Sequence, residues 1–556
     1  MSPEDTPEEE FSIHWIRDVV DEVLARNPDR YLIVTGKSMS GSVHSGFMKE
    51  IIIADVIKRE LQRMGKDAKT VFIADDFDPI RSFPPSVTLS PDEYMGVPYS
   101  DAPDPYGCCE NLGAHWTNEL VKTFPEFGAD PEVVYQSKLY ETKEMMDAVR
   151  ICLNHTETIR NILIEYVARD FDDKQRAEYI ESMKTWFPVS VICPICGRLQ
   201  SGGKGSIVPN RVTAYNSESD EVSYVCAHCG HSETARLDNI RVKLSWRVDW
   251  PAKWYVMKTT CEPAGKDHAV KGGSYDTGLE MSRQVFGWEG PVKVPFEWVR
   301  LGGRDMGTSR GYVFTPGEWL KIAPPELFRY MVLRTDPDKA NNIQTDLIPN
   351  LVDIYETFER EYYGFDDVES EKHELAKILY PLTEVRPISD VYVPKLSFKF
   401  AVVTSQLQEI LSEETILERC YIALKKQHDL SEVSQESKAL IPTRLSRALH
   451  WAKHFGNERD IVSVPDKVPK EIIATLTDTD REFLNRFVDV LKGPALDDEE
   501  IQAKVFESAR AVGLKDKRAF LVLYRILISR KSGPRLGGFL NLLGYDWVLN
   551  RINSVL

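Results

Sequence analysis

The stretch Tyr31–Glu50, YLIVTGKSMSGSVHSGFMKE, restricts the possible folds more than any other part of the chain. Tyr31-Leu32-Ile33-Val34 is a short apolar run that reads as a buried strand. A loop of small residues follows (Gly36, Ser38, Ser40, Gly41, Ser42), and His44-Ser45-Gly46 then leads into an apolar helical segment through Ile51-Ile52-Ile53. A strand, a glycine-rich turn and a helix start make a place for phosphate, because unpaired N–H groups and the positive end of the helix dipole meet there. Gly36-Lys37-Ser38 spells the end of a Walker loop, but Tyr31 stands where the first Walker glycine belongs and no GxGxxG turn is present. A plain strand–helix turn and a nucleotide site both remain open; a His beside a small residue and Gly favours the second. Thr70–Ala74 reads as a second buried strand, ending in Asp75-Asp76-Phe77-Asp78. Strand, helix and strand form a right-handed βαβ unit, so a parallel sheet is expected. Ligands of such sheets bind at the carboxyl ends of strands, where the small-residue loop and the aspartates lie. The aspartates suit capping and turn chemistry equally well.

With 556 residues the chain exceeds one core, and about three to four domains are expected. Phe11–Ala25 has the apolar spacing of an amphipathic helix ahead of the first strand. The acidic start, MSPEDTPEEE, resembles neither a secretory signal nor an Arg-rich transit peptide and reads as a short disordered tail. No run approaches the ~18 apolar residues of a membrane span, so a cytoplasmic protein without membrane association is expected. Nine cysteines, two CxxC pairs among them, point to a reducing interior and to metal rather than disulfides. A net charge of −17 argues against indiscriminate coating of nucleic acid but allows a local basic surface.

The strongest local signal is Cys193-Pro-Ile-Cys196-Gly followed by Cys226-Ala-His-Cys229-Gly. Each CxxCG places two thiolates one tight turn apart, and two such knuckles complete a closed tetrahedral zinc site of the zinc-ribbon kind. Four thiolates leave no open position, so this zinc is structural. Arg211–Tyr215 and Glu221–Val225 read as strands of the ribbon, and His228 and His231 as neighbours rather than ligands. Residues 81–115, rich in Pro, Asp and Tyr, read as an irregular insertion. Within it Asp104, Cys108, Cys109 and His115 supply four zinc-compatible ligands, with two buried structural thiols as the alternative.

Beyond the ribbon, Trp246-Arg247-Val-Asp249-Trp250-Pro-Ala-Lys253-Trp254 is aromatic and basic; on a strand, Arg247 and Asp249 share a face. Cys261–His268 and Gly272–Gly278 mix Gly with Glu, Lys, Asp, His and Tyr, a poor core and a good polar site. Val299–Tyr312, VRLGGRDMGTSRGY, is a second Gly-rich basic loop, suited to phosphate or to a plain surface loop. From Pro316 onward helical periodicity dominates, over 318–334, 347–363, 403–426, 443–454, 470–492, 499–512, 516–530 and 535–552. Two basic clusters lie in this half: Arg444, Arg447, His450, Lys453 and His454, then Lys515, Lys517, Arg518, Arg525, Arg530, Lys531 and Arg535. They suit either phosphate contacts or a solvated face.

Taken in order, EPAGKDH (Glu262–His268), GGSYDTG (Gly272–Gly278), WRVDWPAKW (Trp246–Trp254), ADDFD (Ala74–Asp78), DPYGC (Asp104–Cys108) and GPRLGGFL (Gly533–Leu540) resemble the segments of the class I, archaeal-type lysyl-tRNA synthetases. The resemblance runs from about His14 to Arg551. It implies an α/β fold: a class I synthetase Rossmann catalytic domain with a zinc-binding insertion, followed by an all-α C-terminal anticodon-binding domain. The expected domains are an N-terminal helix and first Rossmann half (1–80), the zinc insertion (81–245), the second catalytic half (246–315), a stem-contact region (316–400) and the anticodon-binding domain (401–556). The implied reaction activates lysine with ATP to lysyl-adenylate and transfers it to tRNA(Lys), with Mg2+ and Zn2+ as cofactors. Oligomeric state is left open, with a monomer as the default.

The resemblance also assigns roles. SGSVHSGF occupies the place of the class I HIGH signature, so His44 and Gly46 become catalytic, His44 on the phosphate chain and Gly46 beneath the adenine. Met306-Gly-Thr-Ser309-Arg310-Gly lies where the KMSKS loop belongs, which adds Ser309 and Arg310. Ser40, Gly41, Gly265, Lys266, Asp267, His268 and Met306 join the expected ATP site. An ammonium wants a carboxylate and an aromatic face; the lysine side is assigned to Gly36, Ser38, Asp249, Trp250, Tyr275 and Asp276. In the family the segment after DPYGC resembles a second zinc site, with Cys109 here standing for a His. The signatures depart from pattern at Phe47, Asp305 and Thr308, and Ser38 replaces a frequent Thr. These departures motivate a second reading, a weakened synthetase-like protein that binds tRNA or a nucleotide for regulation; a glutamyl-type relative is a third.

Overall fold

The computed structural model describes residues 14–307, 312–365 and 370–556. It divides into two compact units. One comprises Met1–Trp319, Pro325–Gln344 and Asp367–Ile388, the other Leu320–Pro324, Thr345–Asp366 and Ser389–Leu556.

The first unit is built on a five-stranded sheet of β1 (Tyr31–Ser38), β2 (Ala68–Asp75), β3 (Glu132–Tyr135), β4 (Cys261–Gly265) and β5 (Val292–Phe296). The order is β5-β4-β1-β2-β3 and every pairing is parallel. The expected βαβ unit is therefore present, with Tyr31 opposite Ala68 and Ser38 opposite Asp75. Between β1 and β4 the order reverses, which opens a crevice at their carboxyl ends, the usual ligand position of a doubly wound sheet. β3 comes from within the stretch read as insertion; its four residues at the sheet edge, Glu132 exposed and the other three half-buried, carry too little alternation to signal a strand.

Four helices position the site: α1 (His14–Ala25), α2 (Met48–Arg63), α3 (Trp246–Met257) and α4 (Ser274–Phe286). In α2, Ile51, Ile52, Ile53, Val56 and Ile57 are buried all round the helix, as befits an element enclosed on both sides. The α3 segment corrects the strand reading of Arg247 and Asp249. Its tryptophans at 246, 250 and 254 lie four residues apart, the spacing of one helix face. Arg247 accordingly stacks on Trp246 at 4.5 Å, while Asp249 points into the interior.

The insertion that carries the CxxCG knuckles leaves through strand Val189–Val191 and returns through Val242–Leu244, and these two pair antiparallel. Between them a three-stranded antiparallel sheet forms from Arg211–Asn216, Glu221–Val225 and Ser232–Arg236. Val212, Val222 and Tyr224 of this sheet share one apolar cluster with Val248 and Ala252 of α3 and Met281 of α4.

The second unit is all-α among the described residues, as expected. Several periodic stretches prove to be helix pairs: 403–426 becomes Phe398–Ser405 and Glu413–His428, 470–492 breaks before Asp478–Leu491, and 535–552 breaks at Gly544. The second member of each of the first two pairs starts at a side-chain cap, Ser412 or Thr477, which satisfies a helix-start N–H group. The basic clusters are partly internal. Both oxygens of Asp480 accept from Arg518, at 3.0 and 2.6 Å, Arg444 pairs with Glu356, and Arg447 donates to the Leu320 carbonyl at 3.0 Å.

Candidate active site and metal centres

From β1 the chain delivers Gly36 and Ser38 to the crevice. The Gly36 N–H donates to Glu50 Oε1 at 3.2 Å, and Ser38 Oγ donates to Asp78 Oδ2 at 3.0 Å. Glu50 lies in the first turn of α2, its carboxyl raised well above the ordinary range by burial and by the nearby charge of Glu262. Nothing along the chain signals this contact, because Glu50 sits at the edge of an apolar helical run. The Lys37 ammonium, between Gly36 and Ser38, forms no hydrogen bond or ion pair with the described residues and lies 6.0 Å from the Phe47 ring centre.

His44 precedes a single 3-10 turn, Ser45–Phe47, that runs directly into α2. Its Nδ1 is shut off from solvent without a hydrogen-bond partner. Burial, helped by the Lys37 charge, pushes the imidazole down to about 4, so it is neutral at pH 7. Gly46 is required by close approach: a Cβ there would lie 2.8 Å from His44 Nδ1. The Ser45 N–H donates to the Phe314 carbonyl at 2.7 Å, and Met306 Sδ lies 4.0 Å from Ser45 Oγ. Ser309 and Arg310 lie outside the described residues.

Two of the three signature departures, Phe47 and Asp305, have a structural account; Thr308 lies outside the described residues. Phe47 is 5% exposed and packs edge-on against Phe72 at 5.8 Å, so it belongs to the core under the turn. Asp305 pairs with Arg300 at 3.0 Å across two short strands, so its charge is balanced within the protein.

From β4 come Gly265 and the short helix Lys266–Ala269. Lys266 pairs with Glu297 at 2.7 Å and lies over Trp298 at 4.4 Å. His268 Nδ1 is 3.0 Å from Ser274 Oγ, and its ring meets Trp246 and Trp250 edge-on at 5.8 and 5.5 Å. Trp250 Nε1 donates to Glu262 at 2.8 Å and Trp254 Nε1 donates to its other oxygen.

Three residues expected on the amino-acid side have other partners. Asp249 accepts from Gln136 at 2.8 Å and from the Tyr140 hydroxyl at 2.5 Å, with Lys253 at 3.3 Å, so its carboxylate is saturated inside the protein. Burial pushes its pKa up, but Lys243 and Lys253 outweigh that and hold it below the ordinary value. Tyr275 is fully buried and its hydroxyl donates to the Glu262 and Val292 carbonyls, bracing β4 and β5. Asp276 accepts from the Gly272 N–H at 2.7 Å and from Lys293 at 2.6 Å, holding the GGS turn. Gly36, Ser38 and Trp250 remain at the crevice beside Asp75 and Asp78, the aspartates read at a strand's carboxyl end, and beside Glu50 and Glu262, which sequence reasoning missed.

Burial raises Glu262 from 4.5 to about 7. Between those values the folded state holds a proton that the unfolded chain releases, so this group's contribution to stability is full below 4.5 and lost as pH rises through 7. Glu262→Gln is expected to flatten that part of the stability–pH profile. An unchanged slope in melts run from pH 4.5 to 7 would count against it.

Cys193, Cys196, Cys226 and Cys229 bring their sulfurs within 4.8 Å of one another, with 3.6 Å from Cys193 to Cys229 and from Cys196 to Cys226. A tetrahedron of zinc–sulfur bonds near 2.3 Å has edges of about 3.8 Å, so the set fits zinc. Gly197 and Gly230 turn the knuckles at φ of +69° and +74°, a region that favours glycine. Asp104, Cys108, Cys109 and His115 converge likewise, with Cys108 Sγ 3.2 Å from His115 Nδ1 and 3.5 Å from Cys109 Sγ. Asp104 Oδ2 accepts the N–H groups of both cysteines at 2.9 Å, which turns adjacent thiols toward one side.

The family description "tRNA synthetases class I (K)" matches residues 13–386. The chain belongs to that family. Lysine–tRNA ligases of Methanocaldococcus jannaschii, Methanosphaera stadtmanae and Archaeoglobus fulgidus are 32%, 31% and 30% identical to it. The alignments cover 97%, 97% and 98% of this chain and 99%, 99% and 100% of those proteins. In this class I synthetase the crevice between β1 and β4 is thus the candidate adenylation site.

Proposed function

We infer that this chain is a lysine–tRNA ligase. The observation that carries the reading is near-full-length similarity, in both directions, to lysine–tRNA ligases of three archaea. The reaction has two steps. A lysine carboxylate oxygen attacks the α-phosphorus of ATP and pyrophosphate leaves; then a ribose hydroxyl of the tRNA terminus attacks the lysyl carbonyl and AMP leaves. Both steps depend mainly on positioning and on stabilising charge as it shifts.

In this reading the neutral His44 donates to the phosphate chain, its imidazole being uncommitted to any hydrogen bond among the described residues. Gly46 keeps that ring in place while the adenine packs on the backbone. ATP lies along Ser40, Gly41, Gly265–His268 and Met306, with Ser309 and Arg310 at its pyrophosphate end and Mg2+ neutralising the phosphates. The Gly36–Ser38 edge, Glu50 and Trp250 receive lysine, carboxylates and an indole face being what an ammonium requires. The Cys193, Cys196, Cys226 and Cys229 set holds a structural zinc, and Asp104, Cys108, Cys109 and His115 hold a second. The helical unit takes the anticodon region of tRNA(Lys). Among the described residues no helix is long and apolar enough to cross a membrane; a cytoplasmic monomer is the working assignment.

Lysine-dependent exchange of pyrophosphate into ATP tests the reading, together with tRNA charging by lysine and glutamate side by side. Exchange with lysine alone is the expected result. No exchange despite tRNA binding would favour a regulatory protein, and charging with glutamate a glutamyl-type enzyme. A metal content of one zinc per chain instead of two would reject the Asp104–His115 site.

A further inference from the structure

A buried charge cluster joins the zinc insertion to the floor of the crevice. Lys243 stands on the returning strand Val242–Leu244, paired with the departing strand Val189–Val191, which leads straight into the Cys193 knuckle. Its ammonium reaches Asp78 Oδ1 at 3.2 Å and Asp249 Oδ2 at 3.8 Å. Lys253 of α3 reaches Asp75 at 2.6 Å and Asp249 at 3.3 Å. Asp78 Oδ2 accepts the Ser38 hydroxyl. Three carboxylates therefore face two ammoniums in a mostly buried cluster, and each aspartate repels the others.

We propose that Lys243 is a positioning residue for the amino-acid end of the crevice, acting through Asp78 on Ser38. Lys243 is the ion-pair partner of Asp78, so its charge keeps that carboxylate turned inward against the repulsion of Asp75 and Asp249. An inward Asp78 fixes the Ser38 hydroxyl as a donor, and its oxygen is thereby oriented toward the crevice as an acceptor for a substrate ammonium. The same strand is fastened a second time, since the Leu244 N–H donates to the Tyr140 hydroxyl at 3.0 Å and Tyr140 donates to Asp249. The register of the insertion thus fixes how Ser38 meets its ligand. Nothing in this chain of contacts touches His44, so the ATP half of the site is left alone.

The inference rests on the lysine–tRNA ligase reading, and its test separates the two. The parent protein must first show lysine-dependent pyrophosphate exchange; without that, the functional reading fails and this proposal with it. Given exchange, Lys243→Met is expected to raise the KM for lysine by about 10-fold or more and to leave the KM for ATP within about twofold, the size of a lost charged hydrogen bond. Lys243→Arg, which keeps the charge, is expected to recover most of the loss. Ser38→Ala should raise the lysine KM on its own, and adding Lys243→Met should then have little further effect, since both act on one contact. Zinc content and melting temperature are followed in each variant. An unchanged lysine KM in folded Lys243→Met, lysine and ATP constants rising together, or effects of the two substitutions that multiply would each overturn the positioning role.

Discussion

Replacing His44 with alanine is expected to lower lysine-dependent pyrophosphate exchange by about 10²- to 10³-fold, the usual cost of deleting one aimed donor to developing charge. The fold should persist, because the imidazole's buried Nδ1 has no hydrogen-bond partner among the described residues for its loss to strand. The loss should fall on kcat more than on either KM, since phosphate charge grows in the transition state. Gly46→Ala should mimic it by another route. The new methyl group would sit 2.8 Å from His44 Nδ1 and push the ring from its place. A displacement of that order near the reacting atoms costs about 10²-fold. Exchange rates for both variants, with melting curves to confirm folding, decide the matter. Near-normal turnover in folded His44→Ala would remove the adenylation role from this turn.

The parts of this protein legible in the sequence are those fixed by neighbours along the chain. Tyr31–Val34 and Thr70–Ala74 announce β1 and β2 because a buried parallel strand is a continuous apolar run. The CxxCG knuckles announce a metal site because ligand spacing is local. β3 stays hidden, with one exposed and three half-buried residues at an edge. The tryptophans at 246, 250 and 254 carry a helical period that a strand reading of Arg247 and Asp249 overlooks.

Site chemistry is less legible, since it depends on contacts between distant residues. Asp249 looks like a free carboxylate for an ammonium, yet Gln136 and Tyr140, more than a hundred positions away, occupy both its oxygens. Phe47 and Asp305 look like eroded signature positions until Phe72 and Arg300 are seen beside them. Glu50 could be found only from the Gly36 N–H that points at it across the turn. Composition separates none of these cases, because the deciding quantity is which polar atoms already have partners.

Cys226→Ser is expected to abolish zinc binding at the ribbon and to unfold the insertion between the paired strands at Val189–Val191 and Val242–Leu244. Structural zinc supplies about 10–16 kcal/mol of apparent binding energy in small zinc domains, more than a short three-stranded sheet can replace. Much of that sheet faces solvent, with Arg211, Thr213, Ser232 and Glu233 all exposed, so little burial remains to hold it without metal. The damage should spread inward, because Val212, Val222 and Tyr224 pack in the cluster that supports α3 and α4. Zinc analysis should show one equivalent lost, and limited proteolysis should cut within residues 197–236. Cys109→Ser provides the contrast: it should release the other zinc while the ribbon stays protease-resistant, since Asp104 still holds its loop through three N–H groups. Protection of 197–236 in metal-free Cys226→Ser protein would mean that packing alone sustains the ribbon.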